Sequence, residues 1–205
     1  MDYLTAFPIT SALIAANVIA SVVAFNSREF FGQNAFIVGP ILKERQYYRV
    51  LTSGFLHVAV WHLLFNMYAL YGFGAYVERQ LGAGAYLFVY VVALLGGNLW
   101  SLAEKKGNPA YAAVGASGAI SGILLAFGLM APFAQILAFF VIPMPAIVFC
   151  GAFILVSALL AQRQNAMFGH DAHLGGAIAG LFATLVVAPG LFGAFVAEVR
   201  AVLGV

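Results

Sequence analysis

Three short stretches carry polar side chains among residues that are otherwise almost all apolar. HVAVWHLLFNMYALYGFG holds His57, His62 and Asn66; AVGASGAISG holds Ser117; GHDAHLGGAIAG holds His170, Asp171 and His173. A serine hydroxyl becomes a nucleophile when a neutral histidine lies close enough to take its proton. Acyl transfer through that serine then needs N–H donors aimed at the developing oxyanion. The Asn66 amide, the His62 imidazole and the backbone N–H groups of the glycine-rich run around Ser117 are suitable donors. Ser117, His173, His62 and Asn66 together are a candidate set for nucleophilic hydrolysis.

Each piece has a plainer reading. A GxSG quartet in a glycine-rich apolar helix can serve close packing, and no strand leads into it as in the nucleophile elbow of soluble hydrolases. A lone histidine can be a structural hydrogen-bonder, and Asn66 can satisfy a backbone carbonyl. Asn17 stands isolated in the first apolar segment. What raises the catalytic reading is that the pieces occur together at compatible depths.

The elements that must position them follow from composition. The chain has 205 residues, 64% hydrophobic and 8% charged, with mean hydropathy +1.01. Soluble domains need far more charge to cover their surface, so a soluble monomer is excluded and an all-α polytopic membrane protein is expected. Six apolar segments approach the roughly 20 residues of a crossing: 7–25, 56–73, 85–102, 116–130, one within 136–160, and 172–187. The fifth is expected to start near Pro145, a residue tolerated in a first helical turn, leaving 136–141 at the interface or in a short connection. The start MDYLTAF lacks the basic stretch of a signal peptide, so the first segment is expected to be a retained span. Residues 1–205 read as one membrane domain.

Parity brings the polar residues together. Spans two, four and six run in one direction, so Ser117 and His173 both open a span on the same side. At about 1.5 Å per residue, His62 and Asn66 would lie roughly 8 and 14 Å below His57. They are four apart and share a face, whereas His57 is expected to turn away from it. Gly118 and Gly122, then Gly176 and Gly180, are GxxxG pairs that let helix backbones approach closely.

The longest polar connection, from residue 26 to about 54, carries Arg28, Glu29, Lys43, Glu44, Arg45 and Arg49 with Phe30, Phe31, Tyr47 and Tyr48. It is expected to lie partly in the membrane interface. Connections after spans one, three and five hold Arg28, Lys43, Arg45, Arg49, Lys105, Lys106 and Arg163; the opposite side holds Arg79 and Arg200. The positive-inside bias would put the first set in the cytoplasm. The net charge of +2 forms no basic stripe, so no nucleic-acid partner is expected. The single cysteine, Cys150, excludes an internal disulfide. No metal or other cofactor is expected, since the histidines lack a convergent carboxylate.

In these residues the chain resembles the rhomboid intramembrane serine proteases, in the compact six-span form common in bacteria. The matching motifs are His57–His62–Asn66, the quartet Gly115 to Gly118 around Ser117, and His173–Gly176–Gly180, with Tyr48–Arg49 in the first loop and Glu78 after span two. The resemblance implies Ser117 as nucleophile and His173 as general base and acid. It implies His62 and Asn66 at the oxyanion with the Ser117 N–H, and His57 in a supporting role near the cavity mouth. Because a Ser–His dyad needs no acid, Asp171 reads as a solvated cap, and His170 likewise. One position departs: some members have an aromatic four residues after the nucleophile, packed on the catalytic histidine, and here that residue is Ser121; Phe127 is too far along to replace it.

The implied substrates are single-span or polytopic membrane proteins, met laterally in the bilayer and cleaved in or beside a transmembrane segment. The implied location is a bacterial inner membrane, with the cavity opening to the extracytoplasmic side, opposite to the charge bias. The competing reading is a catalytically inactive rhomboid-like protein that binds membrane helices. A transporter would spread its polar residues through both halves of the membrane, whereas these cluster toward one side. Oligomeric state is not readable.

Overall fold

The computed structural model describes residues 2–138, 141–161 and 170–204, except the side chains of 161 and 170; Arg163 and the His170 side chain lie outside the described residues. After the one-turn helix α1 (Tyr3–Ala6), α2 (Pro8–Asn26) starts with proline at its first position, where the missing N–H costs nothing. Phe7 before it offers no side-chain cap. The buried Glu78 carboxylate does so from a distance, accepting hydrogen bonds from the Ile9 and Thr10 N–H groups at 2.9 and 2.8 Å. Within α2, the buried Asn17 donates to the Leu13 carbonyl.

The long first connection is folded. It contains α3 (Arg28–Asn34), β1 (Phe36–Ile37), α4 (Val38–Lys43), α5 (Arg49–Thr52) and a 3-10 turn, Ser53–Phe55. Arg49 is buried and holds it closed: Nη1 donates to the Gly32 and Ala35 carbonyls at 2.6 and 2.8 Å, and Nε to Gln46 Oε1 at 2.6 Å.

The second expected span begins later than hydropathy suggests. Residues 56–59 are not helical; α6 (Val60–Ala69) continues through a π turn (Leu70–Gly74) into α7 (Ala75–Leu81). The preceding helical stretch Arg49–Phe55 meets Val60–Leu81 at 92°. A chain turning from the surface into the membrane this sharply cannot stay helical, and residues 56–59 make the turn. Gly82, at φ +78°, reverses the chain into α8 (Ala83–Lys105), a backbone conformation suited to glycine.

The loop after α8 carries β2 (Ala112–Ala113), which pairs antiparallel with β1. Further N–H donations run from Val38 to the Tyr111 carbonyl and from Gly39 to the Pro109 carbonyl. The connections after α2 and α8 therefore share one end of the bundle. Then come α9 (Ser117–Met130), a hairpin of β3 (Gln135–Ala138) and β4 (Ile142–Pro145), α10 (Ala146–Ala161), α11 (His170–Val187) and α12 (Leu191–Leu203). As expected, α10 starts directly after Pro145, and the apolar run before it is a hairpin connection.

All six expected segments contain helix, and the architecture is an all-α bundle. Among the described residues, α2 and α8 can each cross a bilayer by length and hydropathy, and the bent pairs 49–55 with 60–81 and 171–187 with 191–203 raise that to four. α9 and α10 are apolar but shorter than a full crossing. α9 is the central helix, buried from Gly118 to Leu129. Large apolar side chains instead face outward, Ile19 and Val22 on α2, Leu155 and Leu159 on α10, Phe182 on α11. Asn17, Ser21, His57 and Glu78 point inward. This is the polarity of a protein solvated by lipid.

Candidate active site

α9 and α11 cross where neither has a side chain. A Cβ on Gly176 would fall on the Gly118 carbonyl oxygen, and one on Gly180 would fall on the Gly122 Cα. Gly97 of α8 meets the same turn of α11 and leaves room for the Ala172 carbonyl, which a Cβ there would approach to 2.5 Å. The small-residue pairs expected from the sequence are the contact itself, and they draw the first turns of α9 and α11 together.

Ser117 is the first residue of α9 and His173 lies in the first turn of α11. The Ser117 Oγ and His173 Nε2 are 2.8 Å apart, within range for direct proton transfer. Both residues are partly exposed and border an apolar cavity of about 160 Å³, bounded also by Phe73, Ser121, Leu124 and Phe153.

Gly115 shapes the other side of the serine. Its φ of +134° is open to glycine and strained for other residues, and its N–H is held by the Ser53 carbonyl at 3.0 Å. A Cβ there would lie 2.9 Å from His62 Cε1, 3.1 Å from His62 Nε2 and 3.7 Å from Ser117 Oγ. The missing side chain is therefore what lets the His62 ring sit beside the serine. Asn66 is buried on the same helix; its Nδ2 donates to the His62 carbonyl at 2.8 Å, the backbone-satisfying bond, and the second amide hydrogen is what it can offer a substrate.

Two expectations about neighbouring residues are corrected. His57 does not turn away from His62. It precedes α6, in the non-helical link, and its fully buried ring meets His62 edge-on at 4.9 Å, with Nδ1 2.9 Å from Ser21 Oγ. Asp171 is not a solvated cap. It is 5% exposed and pairs with Lys105 Nζ at 2.9 Å, tying the start of α11 to the last turn of α8. Each charge also sits at the helix end whose dipole favours it. Lys105 lies over the Tyr111 ring as well, and burial, reinforced by the Asp171 charge, pushes the Tyr111 hydroxyl up to about 12.

The place of the missing aromatic is taken from another helix. Phe153 of α10 stacks on His173, with centroids 5.7 Å apart and planes 29° apart. Ser121 instead donates its hydroxyl to the Ser117 carbonyl at 2.6 Å. Phe127 packs against Phe73 and Tyr76, away from His173. Phe153 has no signal of its own in the sequence, being one of many large apolar residues along α10. Among the described residues no group of three or more His, Cys, Asp or Glu side chains could share a metal ion.

Comparison with known proteins adds to this geometry. A family model described as the Rhomboid domain matches residues 44–190. The chain is 36% identical over 138 residues to Rhomboid protein 1, mitochondrial, of Saccharomyces cerevisiae, covering 64% of this chain and 39% of that protein. It is 29% identical over 182 residues to RHOMBOID-like protein 12, mitochondrial, of Arabidopsis thaliana, covering 81% and 54%. It is 34% identical over 104 residues to Rhomboid protease GluP of Bacillus subtilis, covering 51% and 18%. The chain thus spans about half or less of the length of these curated relatives.

Proposed function

The chain belongs to the rhomboid family, and from that premise we propose that it is an intramembrane serine endopeptidase working through a Ser117–His173 dyad. The observation that carries this is the 2.8 Å contact between Ser117 Oγ and His173 Nε2 in the lining of an apolar cavity.

In the proposed reaction Ser117 Oγ attacks the scissile carbonyl carbon while His173 Nε2 takes the hydroxyl proton. The carbonyl oxygen becomes an oxyanion, received by the Ser117 N–H with the His62 imidazole and the free Asn66 amide hydrogen. Collapse breaks the C–N bond, and the proton on His173 passes to the leaving amine. Water then attacks the acyl-serine, His173 taking one of its protons and returning it to Ser117 Oγ as the new carboxyl product leaves. Phe153 would hold the imidazole plane through this cycle, and His57 would support His62.

The substrates in this reading are membrane proteins whose transmembrane segment unwinds locally, since a regular helix hides its carbonyls in hydrogen bonds. Residues 1–205 act as one domain of a bacterial plasma membrane, with the end carrying Ser117 and His173 facing out of the cytoplasm. The positive-inside bias weighs less against this orientation than a charge count suggests. Arg49 is committed to the Gly32 and Ala35 carbonyls and Lys105 to Asp171.

The test is cleavage of a single-span substrate by protein reconstituted in lipid, comparing the native chain with Ser117→Ala and His173→Ala. Loss of cleavage in both variants, with folding intact, is the expected result. Equal cleavage by all three, or none by the native chain across several substrates, overturns the proposal.

A further inference from the structure

The last helix meets the membrane differently from the others. α11 has 18 residues, about 27 Å at 1.5 Å per residue, close to the thickness of a hydrocarbon core. Its end, next to Ala188–Pro189–Gly190, therefore lies at the membrane boundary on the side away from Ser117. There the chain bends by 103° into α12, a 13-residue helix at nearly a right angle to the span. A helix so attached runs along the membrane plane.

Its sequence, LFGAFVAEVRAVL, divides by face. At about 100° per residue, Leu191, Phe192, Phe195, Val199, Val202 and Leu203 fall within an arc of about 120°. Gly193, Ala197 and Ala201 occupy the opposite side, and Glu198 and Arg200 fall on the two borders. Along this apolar side Leu191, Phe195, Val196 and Val199 are half-buried, with α9 the neighbouring helix. Phe192, Val202 and Leu203 stay 56%, 60% and 68% exposed. On α11, Ile178, Phe182 and Val186, at four-residue spacing, also face outward. On a membrane-embedded helix that stripe faces lipid, and α12 departs from the end of that helix with its large apolar residues on one side and its small and charged ones on the other.

We propose that α12 is an interfacial helix whose partner is the bilayer itself: Phe192, Val202 and Leu203 insert at the headgroup–acyl boundary, and Arg200 and Glu198 sit at headgroup level. Because α12 is fixed to the end of α11, it sets the depth of the helix that carries His173.

The test uses the full chain in nanodiscs of phosphatidylcholine and phosphatidylglycerol. In a Cys150→Ala background, single cysteines at positions 192 and 203 on one face, and 193 and 197 on the other, carry a nitroxide. The expected result is a severalfold higher ratio of oxygen to water-soluble nickel accessibility at 192 and 203 than at 193 and 197. High nickel accessibility at all four positions would place α12 in water and overturn the proposal. Shielding of 192 and 203 from both reagents, lost when nanodiscs hold one copy, would make a second copy the partner and overturn it equally. Neither readout depends on proteolysis.

Discussion

The Phe153 ring lies against the imidazole of His173, 5.7 Å between centroids with planes 29° apart, and it reaches there from a helix that carries no other element of the dyad. In the proposed dyad the base is thus steadied by α10, while its partner serine belongs to α9. An aromatic contact of this kind is worth about 0.5–1.5 kcal/mol.

Phe153→Ala is expected to lower kcat for cleavage by about tenfold, the rate equivalent of roughly 1.4 kcal/mol. Ser117 should still react with a fluorophosphonate probe, more slowly. A ring supplied from the serine's own helix, in Phe153→Ala with Ser121→Tyr, should restore part of the rate. Restoration separates a positioning role from simple loss of packing.

Removing His62 and removing Asn66 should differ. An oxyanion donor contributes about 10² to 10³ in kcat, and His62→Ala is expected to fall in that range with KM nearly unchanged. Asn66→Ala should cost less, about tenfold, because one of its two amide hydrogens is already used on the His62 carbonyl. Steady-state kinetics on one substrate distinguishes the two; equal losses would contradict the division of roles.

Gly176→Ala tests the helix crossing. Its Cβ would overlap the Gly118 carbonyl, with backbone on both sides unable to yield, so α9 and α11 must separate. A displacement of even 1 Å at a reacting pair can cost about 10²-fold, and that loss is the expectation for cleavage. Gly151→Ala on α10, where a Cβ meets nothing within 4 Å, should leave the rate unchanged.

Lys105→Met leaves the Asp171 carboxylate buried without its ion-pair partner. The expected loss is about 3 kcal/mol, and replacing both residues with apolar ones should recover most of it. Thermal unfolding in detergent gives both values, and the comparison isolates the coupling. If the single variant unfolds at the native temperature, the pair contributes nothing to holding α11.

Much of the architecture was legible because lipid imposes simple rules on sequence. A crossing must be apolar and about 20 residues long, so the six segments stand out and the helix beginning after Pro145 could be placed. Polar residues at membrane depth are costly, which marks Ser117, His62, Asn66 and His173 at once. Glycines four apart announce close backbone approach, and Gly118, Gly122, Gly176 and Gly180 meet as their spacing implies.

Other features were beyond the reach of spacing. Hydropathy ran through residues 56–59 as if they were helix, because a sharp turn can be as apolar as a span; the 92° bend therefore moved His57 off the helix and onto the edge of His62. Asp171 read as solvated because its cation is 66 positions earlier in the chain.

What the sequence determined by itself was local: which residues are apolar enough to cross, which polar ones are too costly to be idle, and where a missing Cβ permits contact. What only the tertiary structure decided was which distant groups meet. Apolar residues fill α10 apart from Ser157, so nothing in its composition selects Phe153 over its apolar neighbours. That choice belongs to the rotation of α10 against α11, and rotation is set by packing across the whole bundle.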